Sequence, residues 1–213
     1  VAYMNFENTY GNVTEFNRIV EEAMKINDKK QIYKHLILIY KQTKNNKLIF
    51  EAYKLALKSF KNDIGLWKAY LEFLFALSSE SDSNIEVNEF QDKKEALAHA
   101  LQCLLVSKSK IELLIFYAGL HYKYNLLEQG KTAFESLLKE HPKRNDIWLV
   151  YLDKESTYNA SHARSVYKKC LEKDHKIKVL KQIVGKYLEF EKKTGTKEDQ
   201  EKAAKYVQEL MKS

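Results

Sequence analysis

The chain has 213 residues and a mass of 25.1 kDa, and its 36 Lys and Arg against 29 Asp and Glu give a net charge of +7. With 45% hydrophobic and 31% charged residues, its composition is that of a folded, water-soluble protein rather than a disordered one. One Pro and six Gly are too few for the many tight turns of an all-β fold, and no apolar run reaches the ~18 residues of a membrane span.

The chain opens on Val1 in a helical-looking pattern, which reads as a fragment of a longer protein. Tyr3-x-x-Phe6-Glu7-x-x-x-Gly11 follows at once, and the same residues recur at the same spacing in Tyr187-x-x-Phe190-Glu191-x-x-x-Gly195. Between them stand Trp67-x-x-Tyr70-x-x-Phe73 and Trp148-x-x-Tyr151-x-x-x-Glu155, with weaker copies at Tyr33-x-x-Leu36 and Leu114-x-x-Tyr117. One anchor therefore falls at Tyr3, Leu36, Tyr70, Tyr117, Tyr151 and Tyr187, at intervals of 33, 34, 47, 34 and 36 residues. The long interval contains a polar, acidic insert at 78–92, read as a loop; in it Ser83-x-x-Glu86 has the spacing of a helix capping box.

A second pattern follows each anchor. Ile19-Val20-x-x-Ala23-Met24 is the first case; Ala52-Tyr53-x-x-Ala56-Leu57 and Val166-Tyr167-x-x-Cys170-Leu171 are others. Apolar pairs four residues apart put a broad stripe on one helical face. Each repeat thus reads as two amphipathic helices. Six repeats, at approximately 1–28, 29–63, 64–108, 109–144, 145–176 and 177–213, make about twelve helices in a single domain. Stacking buries the faces that no single pair can cover, so the expected fold is an all-α, right-handed superhelical solenoid of about six helix pairs. Tyr3, Trp67, Tyr70, Tyr117, Trp148, Tyr151 and Tyr187 are the expected core of the repeats, because large rings supply most buried area. Gly11 and Gly195 fall where first helices should end, as caps with permissive backbone angles, and Pro142 falls between repeats.

The best-formed repeat, Trp148-x-x-Tyr151-x-x-x-Glu155 followed by Ala163-Arg164-Ser165-Val166-Tyr167, resembles the half-a-tetratricopeptide (HAT) repeat. Three longer strings carry the resemblance further: Ala2–Gly11, His141–Trp148 and Lys186–Thr196 are similar to the C-terminal domain of the ribosomal RNA-processing protein five family. That family joins OB-type RNA-binding domains to a C-terminal HAT array. The resemblance implies a nucleolar, non-catalytic interaction scaffold in early pre-rRNA processing and small-subunit assembly. Its implied partners are pre-ribosomal proteins and pre-rRNA of the small-subunit processome, with no membrane and no small-molecule substrate. A HAT scaffold of an mRNA splicing or 3′-end complex is the alternative process.

No residues gather for chemistry. The six glycines form no phosphate loop, no Gly-x-Ser-x-Gly elbow occurs, and the two Cys and six His never take metal-ligand spacing. No catalytic residue, metal or cofactor is expected. Glu7, Glu155 and Glu191 occupy equivalent places in their repeats, which assigns them a structural polar role. Charge is uneven, however: 160–193 holds ten bases and four acids. Arg164 with Lys168, and Lys169 with Lys173 and Lys176, have the spacing of shared helix faces, a candidate phosphate-binding surface for direct RNA contact. No exposed aromatic series for base stacking is evident, since the Tyr residues mostly fall on repeat core positions.

Overall fold

A computed structural model describes residues 2–79 and 92–211. They form twelve α-helices: α1 Ala2–Tyr10, α2 Val13–Ile26, α3 Lys29–Gln42, α4 Asn46–Ser59, α5 Ile64–Ser79, α6 Lys93–Cys103, α7 Ser107–Lys123, α8 Leu127–Glu140, α9 Asn145–Tyr158, α10 Ala160–Leu171, α11 Ile177–Thr194 and α12 Lys197–Leu210. The fold is all-α, with helices packed on their neighbours in sequence, in the manner of a TPR-like array. Most of the acidic insert, with its Ser83–Glu86 spacing, lies outside the described residues. Ser78 and Ser79 belong to α5, and Asp92 caps α6 by accepting hydrogen bonds from the backbone N–H groups of Lys94 and Glu95. Among the described residues no helix is long and apolar enough to cross a membrane.

Short polar residues start the helices. Asn12, Asp28, Asn45 and Asn159 each accept a backbone N–H of the first turn, and Thr196 with Asp199 forms a full capping box. The α3–α4 and α7–α8 turns use another device. Lys44 and Asn125 take positive φ (53° and 58°), and the next residue's N–H reaches back to a carbonyl of the last helical turn, Asn45 to Tyr40 and Leu126 to His121.

The chain divides into two compact units, 1–113 and 114–213, with the boundary inside α7. In the first unit Met4, Phe16, Ile19, Ile32, Leu36 and Ile39 form one apolar cluster. Phe50, Tyr53, Tyr70 and Phe73 form an aromatic one, and the Trp67 indole donates to the Lys61 carbonyl at 2.8 Å. In the second unit, Phe134 stacks on Tyr151 at 5.1 Å, and Tyr167 lies against both Tyr187 and Phe190 at 5.0 and 5.5 Å. α11 packs on α10, α12 and α9.

Six of the seven expected core residues, Trp67, Tyr70, Tyr117, Trp148, Tyr151 and Tyr187, are buried. Tyr3 is not: it is 55% exposed, and Met4 is the residue of α1 that enters the core. The reason is positional. Met4 lies in a cluster with residues of α2 and α3, whereas Tyr3 stands outside that cluster, within electrostatic reach of Arg18 in α2. The two capping glycines also work differently from the expectation. No glycine among the described residues has positive φ, and Gly195 caps α11 in extended backbone (φ −89°, ψ 155°). Glycine is required there by close approach. A Cβ at Gly195 would stand 2.4 Å from Glu191 Oε2, and one at Gly11 would stand 1.8 Å from Glu7 Oε2. In both helices the glutamate folds over the helix end, and its carbonyl accepts the glycine N–H, at 2.8 Å in α11 and 2.9 Å in α1.

Candidate functional site

The basic segment is built on α10. Its apolar stripe, Ala163, Val166, Tyr167, Cys170 and Leu171, is buried, and the Cys170 thiol is pushed up to about 12 by that burial, which makes it inert at neutral pH. The other side carries Arg164, Lys168 and Lys169. The helix ends at Leu171, so Lys173 follows it in a turn and Lys176 stands at the N-cap of α11, with no side-chain capping bond. Lys169, Lys173 and Lys176 therefore do not share a helix face. No Pro or Gly marks this stop in the sequence; Glu172 closes α10 through hydrogen bonds from its N–H to the Cys170 and Lys168 carbonyls.

Arg164 is committed within the fold. Its Nε and Nη2 donate to the two carboxylate oxygens of Glu191 at 2.8 and 3.0 Å, and Nη2 also reaches Asp199 at 3.4 Å. Glu191 is 1% exposed, and a carboxylate so buried must be paired. The fork geometry of arginine satisfies both oxygens at once. Glu191 in turn raises the Arg164 pKa, chiefly through the hydrogen bond, so the guanidinium stays charged. Three hydrogen bonds from its Nε and Nη2 are thus spent inside the fold, on a side chain that is 36% exposed. Lys169 Nζ stands 3.8 Å from Glu135 in an exposed pair, worth ~0–1 kcal/mol. That leaves Lys168, Lys173 and Lys176 exposed, with no acidic partner among the described residues.

Beside them is an open groove of about 460 Å³ lined by Glu135, Lys139, Trp148, Lys169, Glu172 and Lys173, among others. Acids and lysines alternate on its walls, so it holds no strong single-sign field. The Trp148 Nε1 and Tyr151 hydroxyl below it are buried without a hydrogen-bond partner among the described residues.

A second buried carboxylate sits in the same unit. Glu155 Oε1 accepts a hydrogen bond of 2.5 Å from the Tyr122 hydroxyl, and burial together with this acidic neighbour raises the tyrosine pKa. His162 Nδ1 lies 3.0 Å from Glu155 Oε2, within ion-pair distance but out of hydrogen-bond alignment. Glu155 and Glu191 thus close contacts between helices, Glu155 with α7 and α10 and Glu191 with α10. Their equivalence was visible in the repeat spacing. Their partners were not, because Tyr122 and Arg164 lie 33 and 27 residues away. Among the described residues no His, Cys, Asp and Glu group is arranged to hold a metal ion.

No family model matches the chain. It is 29% identical over 213 residues to the protein RRP5 homolog of Mus musculus, covering 98% of this chain and 11% of that protein. The rRNA biogenesis protein RRP5 of Arabidopsis thaliana is 30% identical over 201 residues, covering 93% and 10%, and rrp5 of Schizosaccharomyces pombe is 28% identical over 214 residues, covering 98% and 12%. Among solved structures, one from a functional characterization of Pseudomonas aeruginosa pilF aligns over 99% of this chain and 90% of that one, at 18% identity and a TM-score of 0.43. The chain spans about a tenth of the length of these curated relatives. Over nearly all of its own length it is homologous to RRP5.

Proposed function

We propose that the chain is a non-catalytic interaction array of an RRP5-type rRNA biogenesis factor, acting in the nucleolus in early pre-rRNA processing and small-subunit assembly. The observation that carries this reading is similarity to rRNA biogenesis proteins along 93–98% of the chain, whose described residues fold into paired helices. It favours ribosome assembly over the mRNA-processing alternative. The buried carboxylates support a structural role, since Glu155 and Glu191 are spent on Tyr122 and Arg164. Helix arrays of this kind present extended surfaces to partner helices and peptides. Pre-ribosomal proteins of the small-subunit processome are the partners in this reading.

Direct contact with pre-rRNA is the second reading. It rests on the exposed, unpaired Lys168, Lys173 and Lys176. Such lysines would hold phosphates without reading sequence. Crosslinking from native pre-ribosomal particles tests both. Crosslinks from this chain mainly to particle proteins support the array, and crosslinks to pre-rRNA through Lys168, Lys173 and Lys176 support the second reading. Absence of the chain from particles containing pre-rRNA overturns both.

A further inference from the structure

A denser run of uncompensated charge than that of α10 lies in α3 and α4. Residues 29–61 hold nine lysines and one acid, Glu51, a net of +8, whereas 160–193 holds ten bases and four acids, a net of +6. Between Lys29 and Phe50 there is no acid at all. Lys30 is paired with Asp63. Lys41, Lys44 and Lys47 gather at the α3–α4 turn, all exposed and none with an acidic partner among the described residues. Lys41 Nζ lies 5.9 Å from the centre of the Tyr53 ring, a contact that leaves its charge in place.

The turn itself does not require these lysines, because the α7–α8 turn has the same backbone. In both, the residue at positive φ, Lys44 or Asn125, donates to the carbonyl three residues back, that of Lys41 or Tyr122. The next N–H reaches five residues back, from Asn45 to Tyr40 and from Leu126 to His121. In that register Tyr122, Asn125 and Glu128 stand where Lys41, Lys44 and Lys47 do. Positive φ favours Asn over Lys, so Lys44 keeps its charge against the preference of the backbone.

We propose that the α3–α4 turn is a phosphate-binding surface, taken by the sugar-phosphate backbone of pre-rRNA. The inference rests on the reading that this array works in a pre-rRNA particle, and it places an RNA contact apart from Lys168, Lys173 and Lys176. Three exposed ammonium groups without counter-charges release counterions when a phosphate chain replaces them. Such contacts position a strand without reading its sequence. Tyr40 and Phe50 beside the turn are half-buried, so no exposed ring there stacks on a base. An acidic protein segment would need a central apolar anchor, and Leu48, 40% exposed at the edge of the turn, is a poor one.

The test titrates residues 1–213 with a short single-stranded RNA of mixed sequence over a series of salt concentrations. The turn variant is Lys41→Gln, Lys44→Asn, Lys47→Gln, in which position 44 takes the residue type that Asn125 shows is accepted there. Circular dichroism reports its fold. The slope of log affinity against log salt is expected to flatten by about 2, from three contacts at about 0.7 each, with affinity at ~0.1 M salt lower by about 10²-fold. Lys168→Gln, Lys173→Gln, Lys176→Gln removes the same charge elsewhere and should flatten the slope less. If the turn variant does not fold, Lys41→Gln with Lys47→Gln carries the test, with a slope change of about 1.4. The proposal is overturned if the unaltered chain binds no RNA, or if the turn variant keeps the unaltered slope. It is also overturned if the Lys168, Lys173 and Lys176 variant flattens the slope as much, or if a polyglutamate peptide binds the turn in preference to RNA at equal salt. Particle association is read separately. Absence of the chain from pre-rRNA particles overturns the underlying reading and with it the identity of the RNA; presence there with an unaltered RNA slope overturns the turn alone.

Discussion

α1 and α11 hold the same residues at the same spacing, yet one turns its rings to solvent and the other buries them. Both helices end alike: each glutamate folds over a glycine that must lack a Cβ. Each is also followed by a helix with a polar cap, Asn12 for α2 and Thr196 for α12. What differs is the neighbour on one side. α11 has α10 against Tyr187, Phe190 and Glu191; α1 has no described helix there. The opposite faces invert the relation. Met4 is buried under α3, while its counterpart Leu188 is 37% exposed. In a repeat array a motif specifies a surface, and the adjacent repeat decides whether that surface becomes core.

Truncations in the two copies should separate most widely. Phe190→Ala removes a buried ring and should destabilise the chain by about 3–5 kcal/mol in chemical denaturation. Phe6→Ala, half exposed, should stay within about 0.5 kcal/mol. Equal costs would mean that α1 is covered.

The ion pair gives the next contrast. Arg164→Ala strands the buried Glu191 carboxylate and should cost about 1–3 kcal/mol. Lys168→Ala, one turn along the same helix and exposed, should cost no more than about 0.5 kcal/mol. Glu7→Gln should leave the denaturation midpoint where it was, because no partner is lost.

Gly195→Ala and Gly11→Ala sharpen the same point at smaller amplitude. In α11 the carboxylate that the new Cβ would meet is fixed by Arg164; in α1 it is free to swing aside. Gly195→Ala should therefore lower the thermal midpoint more than Gly11→Ala does, with both affected by the nearby backbone carbonyl.

The smallest effect is pH-dependent. The Thr196 backbone and hydroxyl hydrogen bonds, with Arg164 adding to them, hold the Asp199 carboxyl below the usual range. A carboxyl with a depressed folded pKa stabilises the fold above its ordinary value of about 3.9, and loses that contribution as pH falls through the depressed value. An NMR titration should find Asp199 below the ordinary range, and Thr196→Ala should move it back toward that range.

Much of the fold was legible in the chain. Apolar pairs spaced by four, repeated behind each anchor, dictate paired amphipathic helices wherever they occur, and Pro142 falls between α8 and α9 as its missing N–H requires. The equivalence of Glu155 and Glu191 was readable for the same reason. Tyr3 was misread because its motif is that of a buried anchor, while burial depends on a neighbour that local spacing does not encode. Arg164 looked like part of a cationic face because helical spacing reports direction and not the carboxylate 27 residues on. Lys173 and Lys176 were assigned to the same face because the end of α10 at Leu171 is made by backbone hydrogen bonds, with no breaker residue to announce it.

Hydroxyl-radical footprinting of residues 1–213 tests most directly the claim that cover, and not sequence, separates the two motifs. Tyr3, Phe6 and Tyr10 are expected to label readily while Tyr187 and Phe190 stay protected in the same sample. Protection of Tyr3 and Phe6 to the level of Tyr187 and Phe190 would contradict the account.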